Sequence, residues 1–319
     1  MAAQGVHAQG INPLLSADLY SKVVVPIALY GSELWFNMTV TELNTISRLQ
    51  HYAVKRIQGL PTSTRSDMAE SMLGLNRLPS QIESRKLMFL HKILSLASNS
   101  VTRNIFIRKL ILFINNNSLV STGFIPDICN ILFKYNLLSI INNILVPDPH
   151  IPCKNEWKRT VNNAISERES HDWDQRMSQD LDFTFFKILH PCIAPSIVYQ
   201  VCNRSFFRNI MCVVARLWVR PVSLDNIMCD MCGVIYQEQL VHYLCECEKT
   251  QTLRLHFINS LPSILVPDEM DTLISHDSVA LTLRLLGFPL DPILYRTNEL
   301  QFLHSSYTHI VQCLKVIFE

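Results

Sequence analysis

The sequence predicts a mainly α-helical protein. Glycine accounts for only 8 of its 319 residues, whereas hydrophobic residues make up 48% of the chain. Long segments rich in Leu, Ile, Asn and Ser carry their apolar residues at helical spacing, which a turn-dense β-sandwich would not show. The length allows two domains, or three small ones, with enough residues to build real cores.

The first elements are two helices. Residues 14–30 are apolar with helical periodicity, and Gly31 is suited to end that helix. The next helix is expected to begin near Thr39 or Thr41 and to end at Gln58, because Gly59, Leu60 and Pro61 follow it. One stripe of this helix is apolar and is expected to face the core: Leu43, Ile46, Leu49, Ala53 and Ile57.

Helices are also predicted through the middle of the chain. Ser80 and Glu83 have the spacing of a capping box, which predicts a helix from Ser80 to about Leu96. Further helices are expected over residues 101–115 and, in short pieces, over 124–145. Three prolines then mark a boundary: Pro147, Pro149 and Pro152.

The second half begins with an amphipathic helix over residues 155–179. Trp157 and Trp173 on this helix are expected to be core anchors, with stacking on nucleic-acid bases as the alternative. Helices around 182–190 and 196–218 are expected to pack on it. A small helical tail follows from residue 251, interrupted by four prolines: Pro262, Pro267, Pro289 and Pro292.

Between these helices, four residues have the spacing of a zinc site. Cys229, Cys232, His242 and Cys247 form the pattern C-x2-C-x9-H-x4-C. A Cys pair with two intervening residues can hold one ion from a tight turn, and a second pair with three to five intervening residues fits ligands from a helix and its end. Three thiolates and one imidazole would leave no position for water, which predicts a structural Zn²⁺ site. A chance cluster of buried cysteines is the alternative, since the chain has 10.

The fourth ligand has a competitor. On an unbroken helix Cys245 would share a face with His242, three residues earlier. The usual ligand spacing favours Cys247, and Cys245 stays open as the alternative.

Charge is distributed unevenly along the chain. The net charge is only +1, but residues 48–109 contain eleven Lys and Arg against three acidic residues, a net charge of +8. This segment fits a surface that faces nucleic acid, or else a solvated helical face. The zinc segment differs, because four acidic residues surround it against one lysine: Asp230, Glu238, Glu246 and Glu248, against Lys249.

Targeting signals are lacking in the sequence. The N-terminus has neither a basic start nor an apolar run, and the irregularly spaced cysteines are typical of reduced thiols, so an intracellular protein, in nucleus or cytoplasm, is expected. The most apolar candidate for a membrane span, residues 188–203, is short and contains Pro191 and Pro195. No membrane association is expected.

Several short motifs, in their order, resemble the polyproteins of non-LTR (LINE-type) retrotransposons. They are Gly10–Pro13, Tyr20–Trp35, Arg56–Pro61 with Thr64 and Arg65, Leu73–Leu75, Ile82–Leu87, and the Cys-Cys-His-Cys segment followed by Arg254. The resemblance covers most of the chain. It implies that residues 1–115 form a thumb-like helical region of a reverse transcriptase, 116–220 a helical connector, 221–250 a zinc knuckle and 251–319 a helical tail.

The catalytic parts of that family have no counterpart in the sequence. Polymerases of this kind need paired aspartates that hold two metal ions, and the chain contains no Asp-Asp pair. The fingers, the palm and the N-terminal endonuclease are expected to be missing, and Asp268 and Glu269 have no lysine near enough to complete a restriction-like nuclease. His171 with Asp172, and His190 with Cys192, lack the surroundings of a nucleophile. No enzymatic activity is expected.

The resemblance implies a nucleic-acid partner. A thumb lays a helix along the template–primer duplex, where cations meet phosphates without reading sequence. Four basic residues are the candidates: Arg48, Lys55, Arg56 and Arg65. The expected function is therefore a non-catalytic fragment that binds RNA or an RNA–DNA hybrid, and the alternative is a zinc-stapled scaffold for a protein partner.

Overall fold

The structure, a computed structural model, describes residues 10–116, 122–146, 151–201, 208–220, 227–288 and 299–318. It is mainly helical, as the sequence predicts, with a Cys/His cluster beside a short hairpin. None of the described helices combines the length and the hydrophobicity that crossing a bilayer requires.

The first part of the chain contains α1 (Pro13–Leu19), a π-helical turn (Tyr20–Val24), α2 (Val25–Ala28), a 3-10 turn (Ser32–Leu34), α3 (Val40–Gln58) and α4 (Ser66–Met72). The middle part contains α5 (Leu78–Leu94), α6 (Val101–Asn116), α7 (Phe124–Lys134), α8 (Ser139–Ile144), α9 (Lys154–Ser178), α10 (Thr184–Leu189), α11 (Ile197–Val201) and α12 (Arg208–Trp218). The last part contains β1 (Ile227–Met228), β2 (Ile235–Tyr236), α13 (Gln239–Val241), a second π-helical turn (His242–Glu246), α14 (Gln251–Ser260), α15 (Pro267–Ser275), α16 (Ser278–Leu286) and α17 (Glu299–Phe318).

The chain forms two compact units, and each combines separate segments. The central unit contains Leu19–His51 and Asn76–Asp172, and the C-terminal unit contains Met1–Asp18, Tyr52–Leu75 and Trp173–Glu319. The four linear regions expected from the sequence remain predictions.

The core of the central unit lies between α5, α6, α7, α8 and α9. Trp157 is 2% exposed, and its indole nitrogen donates a hydrogen bond to the Leu87 carbonyl at 3.0 Å. It therefore anchors α9 on α5 as a core residue. Two ion pairs tie α5 to α7: Lys86 with Asp127 at 2.6 Å, and Glu83 with Lys134 at 2.6 Å.

The core of the C-terminal unit is built around α17. Phe302, Leu303, Tyr307 and Ile310 are fully buried on this helix. The Leu286 carbonyl, at the end of α16, accepts hydrogen bonds from the Trp218 indole at 3.1 Å and from the Tyr307 hydroxyl at 3.2 Å. Trp173, at 2% exposure, is also a core residue of this unit.

Helix α3 begins and ends where the sequence predicts, but its buried face differs from the predicted stripe. Leu49 is 68% exposed, whereas Gln50 and Gln58 are fully buried. The amides remain buried because they are hydrogen-bonded: Gln50 donates to the Asn76 carbonyl at 3.1 Å, and Gln58 donates to the Ala69 carbonyl at 2.8 Å.

The predicted capping box at Ser80 and Glu83 is wrong. Helix α5 begins at Leu78, with Pro79 in its first turn, so Ser80 is already inside the helix. Both side chains bind elsewhere in the central unit: Ser80 donates to Glu169, and Glu83 pairs with Lys134. A capping box is present instead before α3, where the Glu42 carboxylate accepts from the Thr39 backbone N–H at 2.7 Å.

Three sequence predictions lie partly outside the described residues. Pro147 and Pro149 of the predicted boundary are outside them, and so is part of the helix expected over 196–218, between α11 and α12. Pro289 and Pro292, expected to interrupt the C-terminal tail, are outside them as well.

Candidate metal centre

The first two candidate ligands are positioned by a tight hairpin. β1 pairs antiparallel with β2, Ile227 opposite Tyr236, and Cys229 follows β1 directly. The Cys229 N–H donates to the Val234 carbonyl at 2.9 Å, and the Gly233 N–H donates to the Cys229 carbonyl at 2.8 Å. Gly233 has a φ of +72°, a left-handed conformation that glycine adopts without strain. This turn brings the thiols of Cys229 and Cys232 together.

The second pair comes from a widened helical turn. His242 opens the second π-helical turn, which ends at Glu246, and the Cys247 N–H donates to the His242 carbonyl at 2.7 Å. Cys247 itself has left the helix, with φ −61° and ψ 129°. The π-turn and the extended residue after it direct the Cys247 thiol back towards His242.

The four side chains converge on one point. Their ligand atoms all lie within 4.8 Å of one another, and the Cys232 Sγ is 3.3 Å from the His242 Nε2. Cys229, His242 and Cys247 are at most 1% exposed, and Cys232 is half-buried. A tetrahedral ion with metal–sulfur bonds of about 2.3 Å places its ligand atoms about 3.8 Å apart, which this spacing accommodates. The group could therefore hold a metal ion such as zinc.

Cys245 lies outside this group. Its thiol is 3.2 Å from the Thr282 hydroxyl of α16. Burial raises the pKa of this thiol, and the Thr282 contact opposes that effect only partly. Cys245 thus packs the π-helical turn against α16, while Cys247 faces the other three ligands.

Two side chains lie against the imidazole of His242. The Tyr236 ring stacks on it, with centroids 4.7 Å apart and planes at 9°. The Glu246 Oε2 lies 3.7 Å from the Nδ1, beyond hydrogen-bond distance, and the Nδ1 is buried without a hydrogen-bond partner among the described residues. The ring is therefore positioned by stacking rather than by a hydrogen bond to its Nδ1.

Cys247 is fixed through its backbone. Its carbonyl accepts hydrogen bonds from the Arg254 guanidinium at 2.7 Å and from the Thr250 N–H at 3.2 Å. Arg254 also donates to the Thr250 hydroxyl at 2.6 Å. Arg254 follows the ligand segment in the resemblance expected from the sequence, whereas the contributions of Thr250 and Tyr236 were not predicted, because neither residue type has a fixed position in the ligand pattern.

The surroundings favour metal-binding protonation states at two of the ligands. Burial lowers the pKa of His242, so the imidazole is neutral near pH 7. Burial acts to raise the pKa of Cys229, but backbone N–H donors from Cys232 and Met231, together with the thiols of Cys232 and Cys247, outweigh it and lower the pKa. At Cys247, burial raises the pKa most, and the adjacent thiols add to this, while the Lys249 backbone N–H opposes it. A bound cation would reverse that increase in pKa.

The predicted nucleic-acid residues have different environments. Arg48 and Arg56 are exposed on α3. Lys55 is half-buried, and its ammonium group donates to the Thr62 carbonyl at 2.9 Å. Arg65 pairs with Asp67 at 2.8 Å and with Asp180 at 2.6 Å.

The two histidines weighed as catalytic groups lie in different environments. His190 is buried among aromatic rings, and Cys192, two residues on, is exposed. His171 is exposed, 3.7 Å from the carboxylate of Asp172, which pairs instead with Arg168 at 3.0 Å.

The comparisons with known proteins give no match: no protein-family model, no curated protein and no solved structure is similar to this chain.

Proposed function

We propose that the chain is a non-catalytic, zinc-stabilised helical module that binds RNA or an RNA–DNA hybrid, as the C-terminal part of a non-LTR retrotransposon reverse transcriptase would. The observation that carries this proposal is the convergence of Cys229, Cys232, His242 and Cys247 within 4.8 Å. Thiolates together with imidazole in a tetrahedral arrangement favour Zn²⁺ over the harder divalent cations. Because all four positions are filled by protein, the ion has a structural role.

The nucleic-acid part of the proposal rests on charge. The net charge of +8 over residues 48–109 is far above that of the whole chain. On α3, Arg48 and Arg56 are exposed, so their guanidinium groups are available to phosphates. Lys55 and Arg65 already bind groups within the protein, so we expect them to contribute less.

The test is binding of a labelled RNA–DNA hybrid and of single-stranded RNA across a salt series, followed by fluorescence anisotropy. Arg48→Ala and Arg56→Ala are compared, singly and together, with the double variant Lys249→Ala/Lys315→Ala, which removes the same charge at exposed positions elsewhere. We expect binding that weakens steeply with salt, and a slope that decreases by about 0.7–0.9 for each arginine lost from a phosphate contact. Equal effects in the α3 variants and in the control would remove these residues from the interface.

A protein-binding scaffold is the second candidate, and one surface favours it. Leu19, Val23 and Ile27 follow one another at four-residue intervals in the central unit and are 44%, 49% and 73% exposed, with Tyr30 at 85%. Val25 and Leu29, on the other side of the same segment, are buried. An exposed apolar stripe of this kind is typical of a protein interface. A partner protein that is lost in Val23→Ser/Ile27→Ser, together with salt-insensitive and weak RNA binding, would favour the scaffold.

A further inference from the structure

The central unit contains a groove that the nucleic-acid prediction did not include. It has a volume of about 1220 Å³ and lies between the end of α5, the start of α6 and the start of α9. The three cations that line it are Lys92, Arg103 and Lys154, and no Asp or Glu is among its described lining residues.

The groove is held open by contacts between the helices that form it. The His91 Nε2 lies 2.9 Å from the Pro152 carbonyl and donates to it, since a carbonyl can only accept. The His91 ring also packs against Trp157, with centroids 5.2 Å apart. Arg103 donates to the Leu96 carbonyl at 3.1 Å and so fixes the start of α6 against the end of α5.

Two of its three cations, Lys92 and Lys154, are fully available to a ligand, and Arg103 adds its charge from a half-buried position. Lys92 and Lys154 are exposed, and neither forms an ion pair within the described part of the chain. Arg103 is half-buried, and its Nε is buried without a hydrogen-bond partner among the described residues. Three cations in a groove whose described lining contains no carboxylate attract a polyanion.

The remaining lining distinguishes between polyanions. Between the cations the lining is mixed: Met88, Leu96 and Ile151 are apolar, whereas Ser95, Ser98 and His91 are polar. A single-stranded nucleic acid offers phosphates to Lys and Arg and flat apolar base faces to the apolar part of such a lining. A polyglutamate chain offers charge without apolar faces. The combination therefore favours single-stranded nucleic acid.

We propose that this groove binds a single-stranded RNA segment, with Lys92, Arg103 and Lys154 on its phosphates. The inference rests on the proposed function and deepens it, because it names a second contact surface away from α3 and the form of nucleic acid that it takes. Lys92 and Lys154 are the residues to test, because their exposed side chains make no ion pair that the fold needs.

The experiment uses the full chain with a labelled twelve-nucleotide uridine RNA in a salt series. Lys92→Gln/Lys154→Gln is compared with Lys158→Gln/Arg159→Gln, which removes two exposed charges from the next part of α9, outside the groove. We expect the groove variant to weaken binding and to reduce the slope of log K against log salt by about 1.4, as for two lost phosphate contacts. The control is expected to behave as the wild type.

A second readout reports directly on the groove. Cys153 lines it and is exposed, whereas Cys192 is exposed in the C-terminal unit. We expect the uridine RNA to protect Cys153 from iodoacetamide in the wild type, while Cys192 reacts at an unchanged rate.

The outcomes separate the groove from the proposed function. If the groove variant matches its control and Cys153 is unprotected while the α3 variants lose binding, the groove proposal is overturned and the proposed function stands. If the wild type binds no RNA even at low salt, both fail. If a polyglutamate peptide binds as tightly and protects Cys153 equally, the choice of nucleic acid is overturned.

Discussion

His190 is a neutral histidine in an aromatic cage. The rings of Phe186, Trp173 and Trp218 lie 5.5, 6.3 and 6.4 Å from its own. Burial lowers the pKa of His190 to about 4, and a hydrogen bond with the Ser71 backbone opposes this only weakly. The Nε2 is buried without a hydrogen-bond partner among the described residues.

This environment predicts a loss of stability in mild acid. The unfolded chain protonates His190 near its ordinary pKa of 6.5, whereas the folded protein resists protonation until about pH 4. The contribution of His190 to the free energy of unfolding is therefore fully present above pH 6.5. It decreases by about 3 kcal/mol as the pH falls towards 4. Denaturant unfolding between pH 4 and 7 measures this decrease.

The variant His190→Gln isolates this contribution, because the amide does not titrate. It is expected to be less stable than the wild type at pH 7 but to lose less stability between pH 6.5 and 4. The control His256→Gln changes an exposed histidine and is expected to follow the wild-type profile. An equal pH dependence in wild type and His190→Gln would refute this account of the cage.

At the residue scale too, the sequence shows which residue types could bind the metal, but it leaves Cys245 as an alternative to Cys247 for the fourth ligand. Helical periodicity places Cys245 on the face of His242, and only ligand spacing favoured Cys247. The structure brings Cys247 to the group because residues 242–246 form a wider π-helical turn. Helical periodicity and ligand spacing do not mark such a turn, so the distinction between Cys245 and Cys247 depends on the backbone conformation.

At the scale of the element, Gln58 joins three helices of the C-terminal unit. Its amide nitrogen donates hydrogen bonds to the Ala69 carbonyl at 2.8 Å and to the Val54 carbonyl of α3 at 2.9 Å. Its own carbonyl accepts from the Tyr199 hydroxyl of α11 at 2.5 Å. All these groups are buried, so none of them can form a hydrogen bond with water in place of its protein partner.

We expect Gln58→Ala to lower the free energy of unfolding by about 2 kcal/mol, because it leaves the Ala69 carbonyl and the Tyr199 hydroxyl buried and unpaired. Urea denaturation monitored by circular dichroism measures the change. The matched variant Gln251→Ala truncates an exposed glutamine and is expected to cost less than about 0.5 kcal/mol. Similar costs for both variants would show that the buried network contributes little.

Helix bounds were more predictable than helix faces. Gly59 and Pro61 fixed the end of α3 correctly, because a backbone signal acts locally. The prediction of the buried side of α3 was wrong at Leu49, because Gln50 and Gln58 are buried instead. Their burial depends on hydrogen-bond partners at Asn76 and Ala69, which no local sequence pattern reveals. Ser80 likewise bonds to Glu169, a residue 89 positions away.

At the scale of the whole molecule, the central unit and the hairpin segment of the C-terminal unit differ in the size of the core that stabilises each of them. The core around Trp157 in the central unit is apolar and includes Leu87, Ile131 and Val161. The hairpin and the π-helical turn have a small cluster of their own, formed by Cys229, Cys247 and two tyrosines. We expect so small a cluster to depend on a metal cross-link, since in metal sites of this kind the binding energy is part of the folding energy.

A strong zinc chelator is therefore expected to affect residues 227–250 first. Hydrogen–deuterium exchange should increase over the hairpin and the π-helical turn, while α5 and α9 in the central unit keep their protection. Cys229 and Cys247, which are buried, should then become reactive towards alkylating reagents. Unchanged exchange over 227–250 after the metal has been removed would contradict a structural role.

The metal content of the purified full-length chain tests the central claim most directly. We expect about one zinc per chain in the wild type and in Cys245→Ser, and almost none in Cys247→Ser, as a closed four-ligand site requires. Cys245 is the matched control because it lies two residues away and contacts Thr282 instead. A wild type without zinc, or zinc kept by Cys247→Ser and lost by Cys245→Ser, would contradict the site described here.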